Sequence, residues 1–193
     1  MFASFCKGQL MKKKILALAI LSAIAIPAFA KNNSFYIGAN LGQATISGSP
    51  FSGFAKESDN SWSFLGGYQI NKHLAAEIQY ISFGKAYAVS TAPITTTGLS
   101  FSALGNLPIN DMFSAYGKLG IASTTLKVDC PVVCVPANYS ATRTALTFGL
   151  GGQYNLDQAI GIRFGYDRYA IGKTADQTDG TYGVFSAGIT YQF

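Results

Sequence analysis

The sequence predicts an all-β chain, an eight-stranded antiparallel transmembrane β-barrel with short periplasmic turns and four longer outer loops. Three observations lead there. Apolar and small or polar residues alternate in eight successive segments. A stretch with the form of an export signal precedes them, and no later apolar run is long enough to cross a membrane as a helix. Charge is scarce, at 12% of residues, against 21 Gly and 13% aromatics. A soluble domain carries roughly 25% charged residues, and a closed sheet with lipid on one side needs far fewer.

Lys12, Lys13 and Lys14 form a basic start, Ile15 to Ile26 is apolar apart from Ser22, and Ala28-Phe29-Ala30 follows Pro27. These are the three parts of a secretory signal peptide, with cleavage expected after Ala30. The apolar run is too short for a membrane span, which needs about 20 residues. The expected division is therefore 1–30, an N-terminal extension (upstream of Met11) plus cleavable signal, and 31–193, the barrel domain. Four of the 14 basic residues (Lys7, Lys12, Lys13, Lys14) fall in the first part, leaving 10 against 9 acids. The formal charge of +5 thus offers no clustered basic face, and nucleic acid is not an expected partner.

The strands follow in order, each read from its alternation. In the first, Phe35, Ile37, Ala39 and Leu41 oppose Tyr36, Gly38, Asn40 and Gly42. The second sets Trp62, Phe64, Tyr68 and Ile70 against Ser63, Leu65, Gly67 and Gln69. Leu74, Ala76, Ile78 and Tyr80 oppose Ala75, Glu77, Gln79 and Ile81 in the third. The remaining five centre on Phe101, Leu119, Phe148, Ile162 and Ile189. Each is expected to span about 9–11 residues, enough for a tilted membrane strand. Short turns are predicted at Asn71-Lys72-His73, Pro108 to Asp111 and Asn155-Leu156-Asp157. Longer connections are predicted at about 47–60, 84–96, 126–140 and 171–180. Alternation by itself does not say which face is wet, and a soluble barrel would turn the apolar face inward. Scarce charge and a Gly-rich smaller face favour lipid outside.

On that assignment Glu77, Lys118, Arg143, Arg163 and Asp167 point into the lumen. A charge in a narrow interior must be paired or hydrated, so Glu77–Arg163 or Glu77–Lys118 pairing is expected. Eight strands leave an interior that side chains fill, which favours a static polar plug over a pore.

The last strand ends Tyr191-Gln192-Phe193, with apolar residues at every second position before it. This resembles the C-terminal signal read by outer-membrane assembly machinery, carried by Tyr191 and Phe193. The stretch Phe35 to Gly42 resembles the opening strand of the OmpA-like and OmpX/Ail-like small outer-membrane proteins. So do Gly67 to Asn71 with Leu74 to Glu77, Ala115 to Gly120, and Gly161 to Tyr166, at the first turn and the third, fifth and seventh strands. The resemblance implies a barrel in the bacterial outer membrane, in contact with its lipid. No peptidoglycan-binding domain is implied, because the sequence given stops at Phe193. In that family a glutamate on the third strand faces basic residues across the lumen, and exchange of ion-pair partners gates a small conductance. Here Gln153 stands where the second lumen carboxylate would fall, and Leu104 where a partner lysine would. Such a gate is not expected.

Cys130 and Cys134 fall in the third long connection, and export makes a local disulfide the expected state. Two cysteines without a nearby His do not complete a zinc site, so no metal is expected. His73, the one histidine, lies in a predicted periplasmic turn, away from outer-leaflet chemistry. No catalytic residue and no cofactor is expected. The expected protein is a non-enzymatic, monomeric outer-membrane barrel. Its outer loops would serve structure or surface interaction with a host or matrix ligand. A narrow pore gated by Glu77, Lys118 and Arg163 is the first alternative, and a lipid-modifying enzyme the second.

Overall fold

The computed structural model describes residues 34–48, 58–87, 93–129, 138–171 and 180–193. They form eight strands: β1 (Ser34–Gly48), β2 (Ser58–Asn71), β3 (Leu74–Tyr87), β4 (Pro93–Pro108), β5 (Phe113–Asp129), β6 (Asn138–Asn155), β7 (Ile160–Ile171) and β8 (Gly180–Gln192). Each pairs antiparallel with its chain neighbours, and β1 closes on β8 through Tyr36↔Gln192 to Gly48↔Gly180. Closure leaves no unpaired edge, which is what lipid demands of a β structure.

The exposed and buried faces settle the question that alternation left open. Leu41 is 74% exposed and Leu150 71%, whereas Glu77 is 2% and Asp167 5%. The apolar face points out and the polar face in, so the wall is built for lipid. Aromatic pairs border the apolar belt. Phe35–Tyr68 and Phe113–Tyr154, each at 4.9 Å, stand near the end that carries the short turns. Trp62 with Tyr80, at 5.7 Å, stands toward the other end.

All three short turns use one device. The side-chain oxygen of Asn71 accepts from the His73 and Leu74 N–H groups (2.8 and 2.9 Å). Asn110 does the same for Met112 and Phe113, and Asp157 for Ala159 and Ile160. Such Asx contacts stand in for the missing ladder bonds at a tight reversal. The N–H groups of Ile160 and Ala159 hold the Asp157 carboxyl below the usual carboxylate range.

Strand length departs from expectation. The strands run from 12 residues in β7 to 18 in β6, not 9–11. The connections shrink to 49–57, 88–92, 130–137 and 172–179. The added pairs lie beyond the apolar belt, where the outward face carries Ser123, Thr125, Thr142 and Thr144 and the inward face mixes Thr124, Arg143 and Leu126. With neither face consistently apolar, hydropathy carries no period-two signal, although Thr suits a strand well. Cys130, Cys134, Ala28 and Ala30 lie outside the described residues.

A bulge interrupts β3 between Ser82 and Lys85. Gly84 sits there at φ 80°, a backbone state that side chains with a Cβ disfavour. The irregularity leaves Ile81, Ser82 and Phe83 all buried in succession, which strict alternation cannot do.

Candidate functional site in the lumen

The lumen is filled in layers. Nearest the short turns, Tyr36, Leu65, Ala75, Leu104 and Tyr116 form an apolar cluster. Leu104, where a family lysine was expected, is 1% exposed within it. The next layer is charged. Arg163 Nη1 lies 2.5 Å from Glu77 Oε2, which also accepts from the Tyr36 hydroxyl at 3.1 Å. Lys118 Nζ stands 2.9 Å from Asp167 Oδ2 and 3.9 Å from Glu77 Oε1, and donates to Gln79 Oε1 at 2.8 Å.

Two acids and two bases from three strands thus form one electroneutral group: Glu77 on β3, Lys118 on β5, Arg163 and Asp167 on β7. Both pairs anticipated for Glu77 are present, and the Arg163 contact is the shorter. Arg163 also lies over two rings, its Cζ 4.8 Å from the Tyr116 ring centroid and 5.5 Å from that of Tyr36. A guanidinium stacked on rings keeps its attraction to them in a dry interior. Gln153 accepts from Arg163 Nη2 at 3.4 Å, so a neutral amide occupies the place of the second family carboxylate.

Glycine makes the room these side chains need. A Cβ on Gly149 would run into Asp167 Oδ1 and come within 3.1 Å of Lys118 Cε. One on Gly67 would overlap the Tyr36 ring, one on Gly151 the Tyr116 ring, and one on Gly165 the Tyr116 hydroxyl.

Arg143 is set apart from this group. It is half-buried on β6, six residues along the strand from Gly149, the partner of Lys118. That is about 20 Å of strand at ~3.3 Å per residue. Arg143 shares strand parity with Thr147 and Gly149, but alternation says nothing of depth.

Beyond the charges, toward the long connections, lies a second apolar layer of Ile46, Ile81, Phe83, Tyr169, Tyr182 and Val184 with Ala44 and Ala122. Phe83 stacks on Tyr182 at 4.5 Å and meets Tyr169 edge-on at 5.1 Å. Tyr169 is fully buried and donates to Gln79 Oε1 at 3.3 Å, joining the two layers. Sequence reasoning missed this layer. Ile81 was placed inside, but Phe83 falls in the bulge and Tyr182 beside an expected loop.

His73 lies exposed in the β2–β3 turn, its Nδ1 3.2 Å from the Asn106 carbonyl oxygen. Among the described residues, no three His, Cys, Asp or Glu side chains are grouped to hold a metal. Tyr191 projects outward on β8, its ring 5.1 Å from that of Phe193, and the Phe193 N–H donates to the Phe35 carbonyl at 2.9 Å.

Comparison with known proteins agrees with this architecture. The neisserial surface protein A structure superposes with a TM-score of 0.68 at 22% identity, covering 82% of this chain and 97% of that one. Ail, the attachment invasion locus protein of Yersinia pestis, solved with the heparin analogue sucrose octasulfate, gives 0.58 at 17%, covering 84% and 99%. The N-terminal barrel of Pseudomonas aeruginosa OprF gives 0.57 at 14%, covering 84% and 98%. No curated protein sequence matches the chain. The profile of the outer membrane protein beta-barrel domain matches residues 16–193, and with a closed eight-stranded wall, apolar outside and polar within, the chain belongs to that outer-membrane family.

Proposed function

We propose that this barrel is a sealed, non-catalytic scaffold that holds its four long connections at the cell surface for interaction with a host or matrix partner. The observation that carries the reading is the stacked Phe83–Tyr182 pair with Tyr169 across the lumen. A lumen filled this way among the described residues supports a plug rather than a pore, which moves function to the ends. Connections 49–57, 88–92, 130–137 and 172–179 all leave from one end, and loops on a rigid scaffold are where binding usually resides. In this reading the exported chain begins after Ala30 and is monomeric, Cys130 and Cys134 clip the third connection, and Tyr191 with Phe193 present the assembly signal.

Two measurements test it together. Exchange of connections 49–57 and 130–137 for short Gly-Ser links should abolish attachment of bacteria to host cells or matrix. The wild-type barrel should be silent in planar bilayers. Retained attachment would remove the surface role.

A narrow pore is the second reading, favoured by Lys118 standing between Glu77 and Asp167. Reproducible conductance steps that change in Glu77→Ala would establish it in place of the scaffold.

A further inference from the structure

The wall of β3 to β6 continues past the lipid belt, and its outward face there is neither apolar nor random. On β4 and β5 the last large apolar outward residues are Leu99 and Ile121. Rows of paired residues then cross the strands. Ser123 pairs with Thr144 and Thr125 with Thr142, and the hydroxyls of the second pair are 2.9 Å apart. One row farther out, Thr95 is flanked by Lys85 on one side and Lys127 on the other. Both lysines are exposed, and neither ammonium has an ion-pair or hydrogen-bond partner among the described residues.

Height selects the partner. Lys127 lies six residues beyond Ile121, about 20 Å along the strand at ~3.3 Å per residue. A strand tilted by roughly 40° turns that into about 15 Å of height above the belt. A phospholipid headgroup layer adds only about 5–8 Å to each side of the hydrocarbon. The lysines therefore stand above phospholipid phosphates, at a level that only a larger headgroup reaches. Hydroxyls below and cations above suit sugars carrying phosphate.

We propose that this outward face of β3 to β6 docks the phosphorylated sugar headgroup of an outer-leaflet glycolipid, with Lys85 and Lys127 on the phosphates and the Ser/Thr rows on the sugars. It is distinct from the connections and holds whether or not they bind a host partner.

The test uses the exported protein, purified folded in detergent micelles. It is titrated on native gels with lipopolysaccharide, with the same lipopolysaccharide stripped of phosphate, and with phosphatidylglycerol in mixed micelles. A lysine near an anionic headgroup contributes about fivefold in affinity. K85Q/K127Q should then weaken lipopolysaccharide binding about 20-fold, while K72Q at the opposite end leaves it unchanged. Phosphate removal should weaken the wild type to the level of the variant. Equal binding by wild type and K85Q/K127Q would overturn the proposal. Phosphatidylglycerol binding as tightly as lipopolysaccharide would overturn the glycolipid assignment in favour of any anionic lipid. Unheated gel mobility confirms that each variant is folded.

Discussion

The two inner layers of this barrel fill the same cross-section in opposite ways. The charged layer packs Glu77, Lys118, Arg163 and Asp167 into an electroneutral group. The aromatic layer above it uses Phe83, Tyr169 and Tyr182. A buried ion pair gives up two hydration shells to gain its attraction, so its net contribution is small and its geometry is exacting. Aromatic packing gains from each buried ring and tolerates small shifts. The charged layer therefore ties β3, β5 and β7 together across the lumen, and the aromatic layer fills the cross-section above it.

The comparison can be broken first at Glu77. Glu77→Ala strands Arg163 and Lys118 against one remaining carboxylate, and loss of a partner from a buried pair costs roughly 3–5 kcal/mol. Glu77→Gln with Arg163→Met removes one acid and one base together and leaves Lys118 on Asp167. It should cost far less, and urea unfolding of the two variants in the same micelles would expose the difference. Equal destabilisation would mean that the layer stabilises outright.

The aromatic layer behaves otherwise. Phe83→Ala should cost roughly 3 kcal/mol, the lower end for a buried Phe, because the hydrogen-bonded wall around it stays intact. No second deletion in that layer should rescue it. Recovery on adding Tyr182→Ala, measured by the same unfolding, would contradict this picture.

The smallest effect lies outside both layers, at the Asp157 turn. Its folded carboxyl titrates below its unfolded value near 3.8 because the Ile160 and Ala159 N–H groups favour the charged form. That contribution is fully present above the unfolded value and disappears as pH falls through the lower folded one. Wild type should thus lose a small stability advantage over Asp157→Asn only below about pH 4. A difference unchanged between pH 5 and 2 would remove the carboxylate from the account.

The same contrast explains what the sequence made legible. The charged layer was readable because each member is a polar residue in a strand with one apolar face, so Glu77, Lys118, Arg163 and Asp167 could be set inside by parity alone. Asn71, Asn110 and Asp157 lay within the stretches read as turns, although their shared hydrogen-bonding device did not show. The aromatic layer was hidden because Phe83 and Tyr182 fall at strand ends beside expected connections, and no single-strand pattern shows the register shift that follows Phe83 at the Gly84 bulge. The upper rows of β5 and β6 were hidden because their outward face turns polar while their inward face mixes Thr124, Arg143 and Leu126. Depth was not encoded in alternation, so Arg143 was grouped with charges that lie about six residues away along β6.

The seam between β1 and β8 has a consequence in time. Ser34 and Gln192 meet through their side chains across 158 residues of chain. The first strand thus has one edge that nothing can satisfy until the last strand exists. Every shorter intermediate is an open sheet with two sticky margins, and contacts of such long sequence separation form slowly. Stability in the finished wall is then matched by vulnerability on the way to it. The cell must keep the growing sheet from pairing with a stranger until its own end arrives.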